Sequence, residues 1–199
     1  NIATQSFAAL RHPVYRRYFA FTALGMMGDS IEHVISYWII FQKFQSPTLG
    51  GVAMLTHWLP FLLFSVQSGA LADRYDRRRV IQISQLMFAL VSIGWASLFL
   101  TDSLEQWHAV VLLTMHGLAG VLWNPASQVI VHEIVGTELV PSAIRLMSTG
   151  RQLGLLCAPA VGGLLLFTLG PALGLFVNVL FYIPTIIWLW RAPFGAGPL

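Results

Sequence analysis

Six stretches of apolar residues, each nearly free of charge, constrain the fold of this 199-residue chain more than any other feature. A helix needs about 20 apolar residues to cross about 30 Å of hydrocarbon. The chain has 56% hydrophobic and only 10% charged residues, whereas a soluble domain carries about 25% charged residues. We therefore predict an all-α membrane protein whose solvent is the lipid bilayer. The six predicted transmembrane helices lie at residues 18–42, 51–72, 80–101, 109–131, 148–169 and 171–190.

The distribution of basic residues predicts how the chain is oriented in the membrane. If the six helices alternate in direction, almost every arginine between them falls on one side, and only Lys43 falls on the other. Because cytoplasmic loops are enriched in Lys and Arg, we expect a cytoplasmic amino terminus in the plasma (inner) membrane. Residues 1–17 then form a cytoplasmic segment, residues 18–191 the bundle, and residues 192–199 a linker or tail. Basic residues confined to short loops do not form a nucleic-acid-binding face, so no nucleic-acid partner is expected.

The first predicted helix carries two acids where lipid would penalise them. Asp29 lies near its middle and Glu32 follows three residues later. At about 100° per residue, the polar residues of this helix share one face: Thr22, Gly25, Asp29, Glu32, His33 and Ser36. Intramembrane acids usually face a cavity and mark substrate or proton pathways. The stripe predicts a site for substrate or protons, with a purely structural network as the alternative.

Polar residues on other predicted helices are further candidates for this site. Arg151, near the start of the fifth helix, is a candidate partner for Asp29 or Glu32. His57, His116 and Asn124 are candidates to line a cavity, although ordinary packing explains a lone histidine equally well. We found no metal-ligand spacing and no phosphate-binding loop, so no metal or cofactor is expected. A proton gradient is the expected energy source.

The segment after the second predicted helix reads Gly69-Ala70-Leu71-Ala72-Asp73-Arg74-Tyr75-Asp76-Arg77-Arg78-Arg79. It resembles the loop motif of the major facilitator superfamily, Gly-x-Leu-Ala-Asp-Arg-x-Gly-Arg-Arg. Asp76 replaces the usual Gly, as in the exporter branch that includes enterobactin-exporter-like permeases. The resemblance implies a cytoplasmic gating loop formed by Gly69, Asp73, Arg74, Arg77 and Arg78. We also expect Gly69 to permit close approach of a neighbouring helix.

The fifth predicted helix resembles a second motif of the same superfamily. Small residues recur every four positions along it: Gly150, Gly154, Ala158 and Gly162. Within this ridge, the run from Ala158 and Pro159 to Gly162 and Gly163 is similar to the antiporter motif Gly-Pro-x-x-Gly-Gly. The resemblance implies export, with ordinary small-residue packing as the alternative. The fourth helix lacks the arginine that many members use in proton coupling, and has His116 instead.

The resemblance implies the amino-terminal six-helix half of a major facilitator, built as two inverted three-helix repeats. A second six-helix half, in the same longer chain or in a second copy, would complete it. The implied function is export of a small organic solute by proton antiport, with proton-coupled uptake as the first alternative. A six-helix scaffold or receptor that transports nothing is the second alternative. An enzyme is not expected. The serine-protease signature around Ser68 is incomplete, and so is the zinc-protease signature around His132.

Overall fold

The computed structural model describes residues 6–195, which are helical apart from short turns and contain no strand. This confirms the all-α class predicted from the sequence. Two short 3-10 turns, Ala8–Arg11 and Val179–Phe181, accompany the α-helices. The α-helices are α1 (Pro13–Phe44), α2 (Pro47–Arg74), α3 (Arg77–Leu100), α4 (Gln106–Asn178) and α5 (Ile183–Trp190).

Residues with helix-capping chemistry lie at the start of α2, at the start of α3 and at the end of α1. Ser46 precedes Pro47 and its hydroxyl accepts a hydrogen bond from the backbone N–H of Leu49 at the start of α2. Asp76 does the same for α3, accepting from the N–H of Arg78. Such side-chain caps satisfy backbone donors that have no partner within the helix. At the end of α1, Gln45 has a φ of 47°, a left-handed conformation that terminates the helix.

Helix α4 is interrupted at two glycines, each of which has a positive φ. Gly136 has a φ of 71° and Gly170 a φ of 81°, a region that glycine enters without steric penalty. These breaks divide α4 into a first run (residues 106–135), a second run (137–169) and a third run (171–178). The second break coincides with the Gly170-Pro171 turn seen in the sequence. The predicted helices left residues 132–147 unassigned, whereas the structure shows them helical on both sides of Gly136.

Contacts with α1 show that the chain reverses direction at Gly136. The Tyr18 hydroxyl donates to the carbonyl of Ser127 at 3.1 Å, while Asp29, further along α1, contacts the earlier His116. The first run of α4 is therefore antiparallel to α1. The second run is parallel to α1, because Gly150 lies beside Phe19 and the later Gly162 lies beside Val34.

The ridge of small residues on the second run packs directly against α1. A Cβ atom built on Gly150 would lie 3.2 Å from the Phe19 ring, and one on Gly162 would lie 3.1 Å from Val34. Gly154 and Ala158, between them, are also buried. Pro159 is exposed and Gly163 faces open space, so neither contributes to this contact. Small residues let two backbones approach closely, which fixes the second run beside α1.

Three helical stretches are long and apolar enough to cross a membrane: Pro47–Arg74, Arg77–Leu100 and the 85-residue stretch Gln106–Trp190. Only 17% of the most apolar 18-residue stretch of α2 is buried within the protein. Side chains such as Leu62 and Val66 are therefore exposed. A broad apolar surface of this kind is typical of a multi-pass membrane protein. The division into six spans and the inverted repeat stay predictions. Of the predicted linker or tail, residues 196–199 lie outside the described residues.

Candidate functional site

A cavity of about 570 Å³ opens between α1, α2, α3 and the first two runs of α4. Asp29, His33, His57, His116, Asn124 and Arg151 all contribute to its wall. Thus α1, α2 and α4 bring together most of the polar candidates that the sequence predicted. The wall also contains aromatic residues that the sequence analysis did not assign to a site: Phe61, Phe88 and Trp123. Another cavity, of about 670 Å³, lies near Phe41 and Met54 and is lined by no acid or base.

His116 bridges the two acids of α1. Its Nε2 atom lies 2.6 Å from Oδ1 of Asp29, and its Nδ1 atom lies 2.8 Å from Oε2 of Glu32. Glu32 is 1% exposed and His116 6% exposed, whereas the Asp29 side chain is 39% exposed, toward the cavity. One imidazole ring thus connects an acid that the cavity can reach to an acid that it cannot.

The chemistry of the three groups sets the smallest number of protons with which both contacts are hydrogen bonds. A carboxylate only accepts hydrogen bonds, and a neutral imidazole has one donor nitrogen and one acceptor nitrogen. Both contacts of His116 are hydrogen-bonded only when at least two protons are present, for example both on the ring, or one on the ring and one on a carboxyl group. Losing one proton leaves a lone pair facing a carboxylate across one of the contacts. The geometry of the bridge therefore depends on its proton count.

His33, His57 and Tyr182 surround the bridge. Nδ1 of His33 lies 2.9 Å from the backbone oxygen of Asp29 and 3.5 Å from its Oδ1 atom. The His33 and His57 rings are in edge contact, with centroids 5.1 Å apart. The Tyr182 hydroxyl donates to Oε2 of Glu32 at 3.3 Å. The sequence analysis did not single out Tyr182, because it lies within an apolar run, although Asn178 and Thr185 are polar neighbours at helical spacing.

Asp29, His33 and His116 are also the residues in this part of the structure best placed to hold a metal ion. Their ligand atoms lie within 4.8 Å of one another, and histidine and carboxylate ligands are typical of Zn²⁺ sites. The 2.6 and 2.8 Å contacts of His116 are hydrogen-bond lengths. The structure therefore supports a proton-sharing network more directly than a metal centre.

Arg151 does not form the ion pair with Asp29 or Glu32 that the sequence suggested. Within residues 6–195, no carboxylate lies within the 4 Å ion-pair distance of its guanidinium group. That group instead lies over the Trp123 ring, 5.6 Å from its centroid. His116, and not Arg151, is the partner of Asp29 and Glu32, because the first run of α4 lies directly against the polar face of α1.

The loop between α2 and α3 is held by an ion pair at the far end of the first run, in which Arg77 is buried and Glu133 is exposed. Arg77 is 1% exposed and its guanidinium lies 3.0 Å from Oε1 of Glu133. The backbone of Gly195 joins the pair from the other side: its N–H donates to Oε2 of Glu133 at 2.6 Å, and its carbonyl accepts from the N–H of Arg77 at 2.9 Å. This Arg77–Glu133–Gly195 clasp connects the loop, α4 and the segment after α5.

Asp76 and Arg78 extend the clasp. The Arg78 guanidinium lies 2.8 Å from Oδ2 of Asp76, and it also donates to the carbonyl of Ala192. Although partial burial works in the opposite direction, the hydrogen bonds from Arg78 hold the pKa of Asp76 below its usual value.

The other residues of the predicted gating loop lie outside the clasp. Asp73 and Arg74 are exposed at the end of α2. The close helix approach that the sequence predicted at Gly69 is not formed within residues 6–195, where a Cβ atom on this glycine would meet open space.

Comparisons with known proteins agree with this architecture. Residues 4–197 match the transmembrane secretion effector family of the major facilitator superfamily. An uncharacterized MFS-type transporter, YfiS of Bacillus subtilis, is 24% identical over 85% of this chain and 42% of its own length. The multidrug efflux pump Tap of Mycolicibacterium fortuitum is 28% identical over 72% of this chain and 36% of its own length.

The staphyloferrin A transporter of Staphylococcus aureus is 22% identical over 90% of this chain and 47% of its own length. The chain thus spans less than half the length of these curated relatives. No solved structure is significantly similar to it. The match over nearly every residue, together with the apolar helices and the motifs of the α2–α3 loop, shows that the chain belongs to the transmembrane secretion effector family of major facilitator transporters.

Proposed function

We propose that this chain forms the amino-terminal, six-helix half of a secondary transporter that exports a small organic solute in exchange for protons. The observation that carries the proposal is the bridge in which His116 joins Asp29 and Glu32 beside the cavity. In this proposal the protein lies in the plasma (inner) membrane with a cytoplasmic amino terminus. A second six-helix half supplies the other wall of the cavity.

Proton coupling follows from the contacts of the bridge. Asp29 is open to the cavity and exchanges protons with it, while Glu32 lies behind His116 and receives a hydrogen bond from Tyr182. His33 lies beside Asp29 and offers a further proton carrier. Losing one proton breaks one of the two contacts of His116, so the proton count biases the position of the first run of α4 relative to α1. Each proton moved down 100 mV supplies about 2.3 kcal/mol.

Export is favoured over uptake by the relatives of the chain. Relatives include a multidrug efflux pump and a macrolide efflux protein. In this chain, Gly150, Gly154, Ala158 and Gly162 pack closely against α1, a contact that is compatible with either direction of transport. Proton-coupled uptake uses the same bridge and differs only in the direction of solute movement.

The gating loop is proposed to close the cytoplasmic side. Arg77 and Arg78 anchor the loop to α4 and to the segment after α5. Asp73 and Arg74 remain exposed at the end of α2. We assign to these two exposed charges, and to the open space beside Gly69, the contact with the second six-helix half.

The experiment measures solute and proton movement together. Cells that express the protein are tested for resistance to two cations, erythromycin and ethidium, chosen because relatives are macrolide and multidrug efflux proteins, and to an anionic antibiotic, fusidate. Everted vesicles from the same cells are then followed with a fluorescent reporter of luminal pH while the exported compound is added. We expect the compound to release protons from acidified vesicles, and Asp29→Asn and His116→Gln to abolish that release.

Asp102→Asn is the matched control, because Asp102 is an exposed acid that pairs with Lys43 away from the cavity. It should leave proton release unchanged. Solute-dependent proton release that survives in both Asp29→Asn and His116→Gln would refute the proposed coupling. Accumulation of the compound inside intact cells, instead of its clearance, would establish uptake.

A further inference from the structure

Arg151 lies where two cavities meet, and the proposed proton bridge does not use it. One of these cavities is the one described above; the other has a volume of about 400 Å³ and continues from it between the first and second runs of α4. Met26, Trp123, Asn124 and Arg151 line both of them. Within residues 6–195, the positive charge of Arg151 is not matched by a carboxylate at ion-pair distance.

The surroundings of Arg151 leave its hydrogen-bond donors available. The guanidinium lies over the Trp123 ring, a cation–π contact that is not a hydrogen bond to an oxygen acceptor and so leaves its N–H donors available for a ligand. The second cavity is otherwise rich in neutral polar side chains: Asn124, Ser127, Gln128, Ser148 and Gln152. A guanidinium edge flanked by amides and hydroxyls matches the fork geometry with which arginine binds carboxylates and phosphates.

The acids and Arg151 are not paired with one another. Asp29 lines the first cavity and shares His116 with the buried Glu32, whereas the described residues that line the second cavity include no Asp or Glu. Arg151 lies at the junction with the second cavity, and Phe61 and Trp123 provide apolar surface on the wall. An anionic group entering this space is repelled by the acids and attracted to Arg151. The cavities therefore suit a solute with an apolar body and an anionic group.

We propose that Arg151, together with Trp123 and Asn124, binds an anionic group of the transported solute, of the carboxylate or phosphate class. The assignment rests on the proposed function, since it names the class of solute that the transporter carries. Trp123 positions the guanidinium from below, and Asn124 offers its amide N–H beside it. The acid bridge forms no ion pair with Arg151 within residues 6–195 and remains free to exchange protons.

Binding of small anions to the purified protein in detergent tests this assignment without any ion gradient. The probes are benzoate and phenyl phosphate, and their neutral analogues are benzamide and benzyl alcohol. A ligand that binds only the folded state raises the thermal midpoint by mass action. At ten times its dissociation constant, we expect an anion to raise the midpoint by about 3–6 °C. We expect the neutral analogues to have no comparable effect.

Substitutions then locate the site. Arg151→Gln should abolish the stabilisation by anions, and Arg151→Lys should retain part of it, because lysine keeps the charge and loses the fork. Arg145→Gln is the matched control: Arg145 is exposed on the same run of α4 and lines neither cavity. It should respond to the anions as the unaltered protein does. A larger response to benzoate or to phenyl phosphate identifies the carboxylate or the phosphate class.

The assignment is overturned if neither anion stabilises the unaltered protein more than the neutral analogues do. It is also overturned if Arg151→Gln retains the full anion response, or if Arg145→Gln loses it equally. The comparison of anions with neutral analogues needs no variant, so it stands even if a substitution prevents folding. Failure of proton coupling in vesicles leaves this binding experiment unaffected, which separates the two proposals.

Discussion

Replacing His116 with phenylalanine removes both contacts of the bridge while preserving the size and aromatic packing of the ring. The His116 ring already packs edge-on against Phe88, with centroids 4.8 Å apart. The substitution leaves Asp29 and Glu32 facing each other without a shared donor. Hydrogen bonds to charged groups contribute about 1.5–3 kcal/mol each to stability.

The two hydrogen bonds of His116 differ in solvent exposure, and this difference sets the expected loss of stability. The Asp29 side chain is 39% exposed, so its contact belongs at the lower end of that range, while Glu32, whose side chain is 2% exposed, belongs at the upper end. We expect His116→Phe to reduce the free energy of unfolding by about 4–5 kcal/mol. For a chain of this size, that loss lowers the thermal midpoint by about 8–20 °C.

The measurement is thermal unfolding of the purified protein, followed by intrinsic fluorescence and repeated with a compensating change. Asp29→Asn and Glu32→Gln, introduced together with His116→Phe, should recover most of the loss, because neutral amides need no cationic partner. His132→Phe is the control, since His132 is exposed near the end of the first run and should shift stability by less than about 0.5 kcal/mol. If His116→Phe resembles this control, or the amides restore nothing, the bridge does not stabilise the fold.

Adjacent glycines in the antiporter-like motif should respond oppositely to alanine. Gly162→Ala should lower the free energy of unfolding by about 1–3 kcal/mol, because its Cβ atom would press on Val34. Gly163→Ala should raise it by about 0.5–1 kcal/mol, because the site is open and alanine favours the helix. Asp76→Asn, which retains the helix cap, should cost less than Asp76→Ala. Because the pKa of Asp76 is lowered in the folded state, its charge stabilises the fold at neutral pH, and this contribution is lost as the pH falls through that lowered value. The difference in thermal midpoint between Asp76→Asn and the unaltered protein should therefore disappear in acid.

The polar face of α1 could be predicted because it depends only on helical periodicity. Asp29, Glu32 and His33 share a sector at 100° per residue, and the structure places Asp29 and His33 on the cavity wall. Glu32, on the same sector, is buried behind His116 instead of lining the cavity. Helical periodicity predicts on which side of a helix a residue lies. It does not predict which residues of that side are covered by a neighbouring helix.

The partners of these residues could not be predicted because they depend on how separate helices align. The contact of His116 with Asp29 depends on how far the first run of α4 is displaced along α1. The turns at Asp102 and Gly136, which flank this run, determine that displacement. Tyr182 reaches Glu32 across 150 residues of sequence. Arg151 was a reasonable partner by charge alone, but the small-residue ridge fixes the second run so that Arg151 lies over Trp123 instead.

A single helix links the His116 bridge to the Arg77–Glu133–Gly195 clasp. His116 and Glu133 lie on the same unbroken run of α4, about 25 Å apart at 1.5 Å per residue. On the proposed mechanism, a change in the proton count of the bridge shifts this run against α1. The run contains Pro125 but keeps helical backbone angles throughout, so the shift is transmitted to the ion pair of Glu133 with Arg77, whose atoms lie 3.0 Å apart. Protonation inside the membrane can thus loosen or tighten the loop between α2 and α3 without any contact between the two sites.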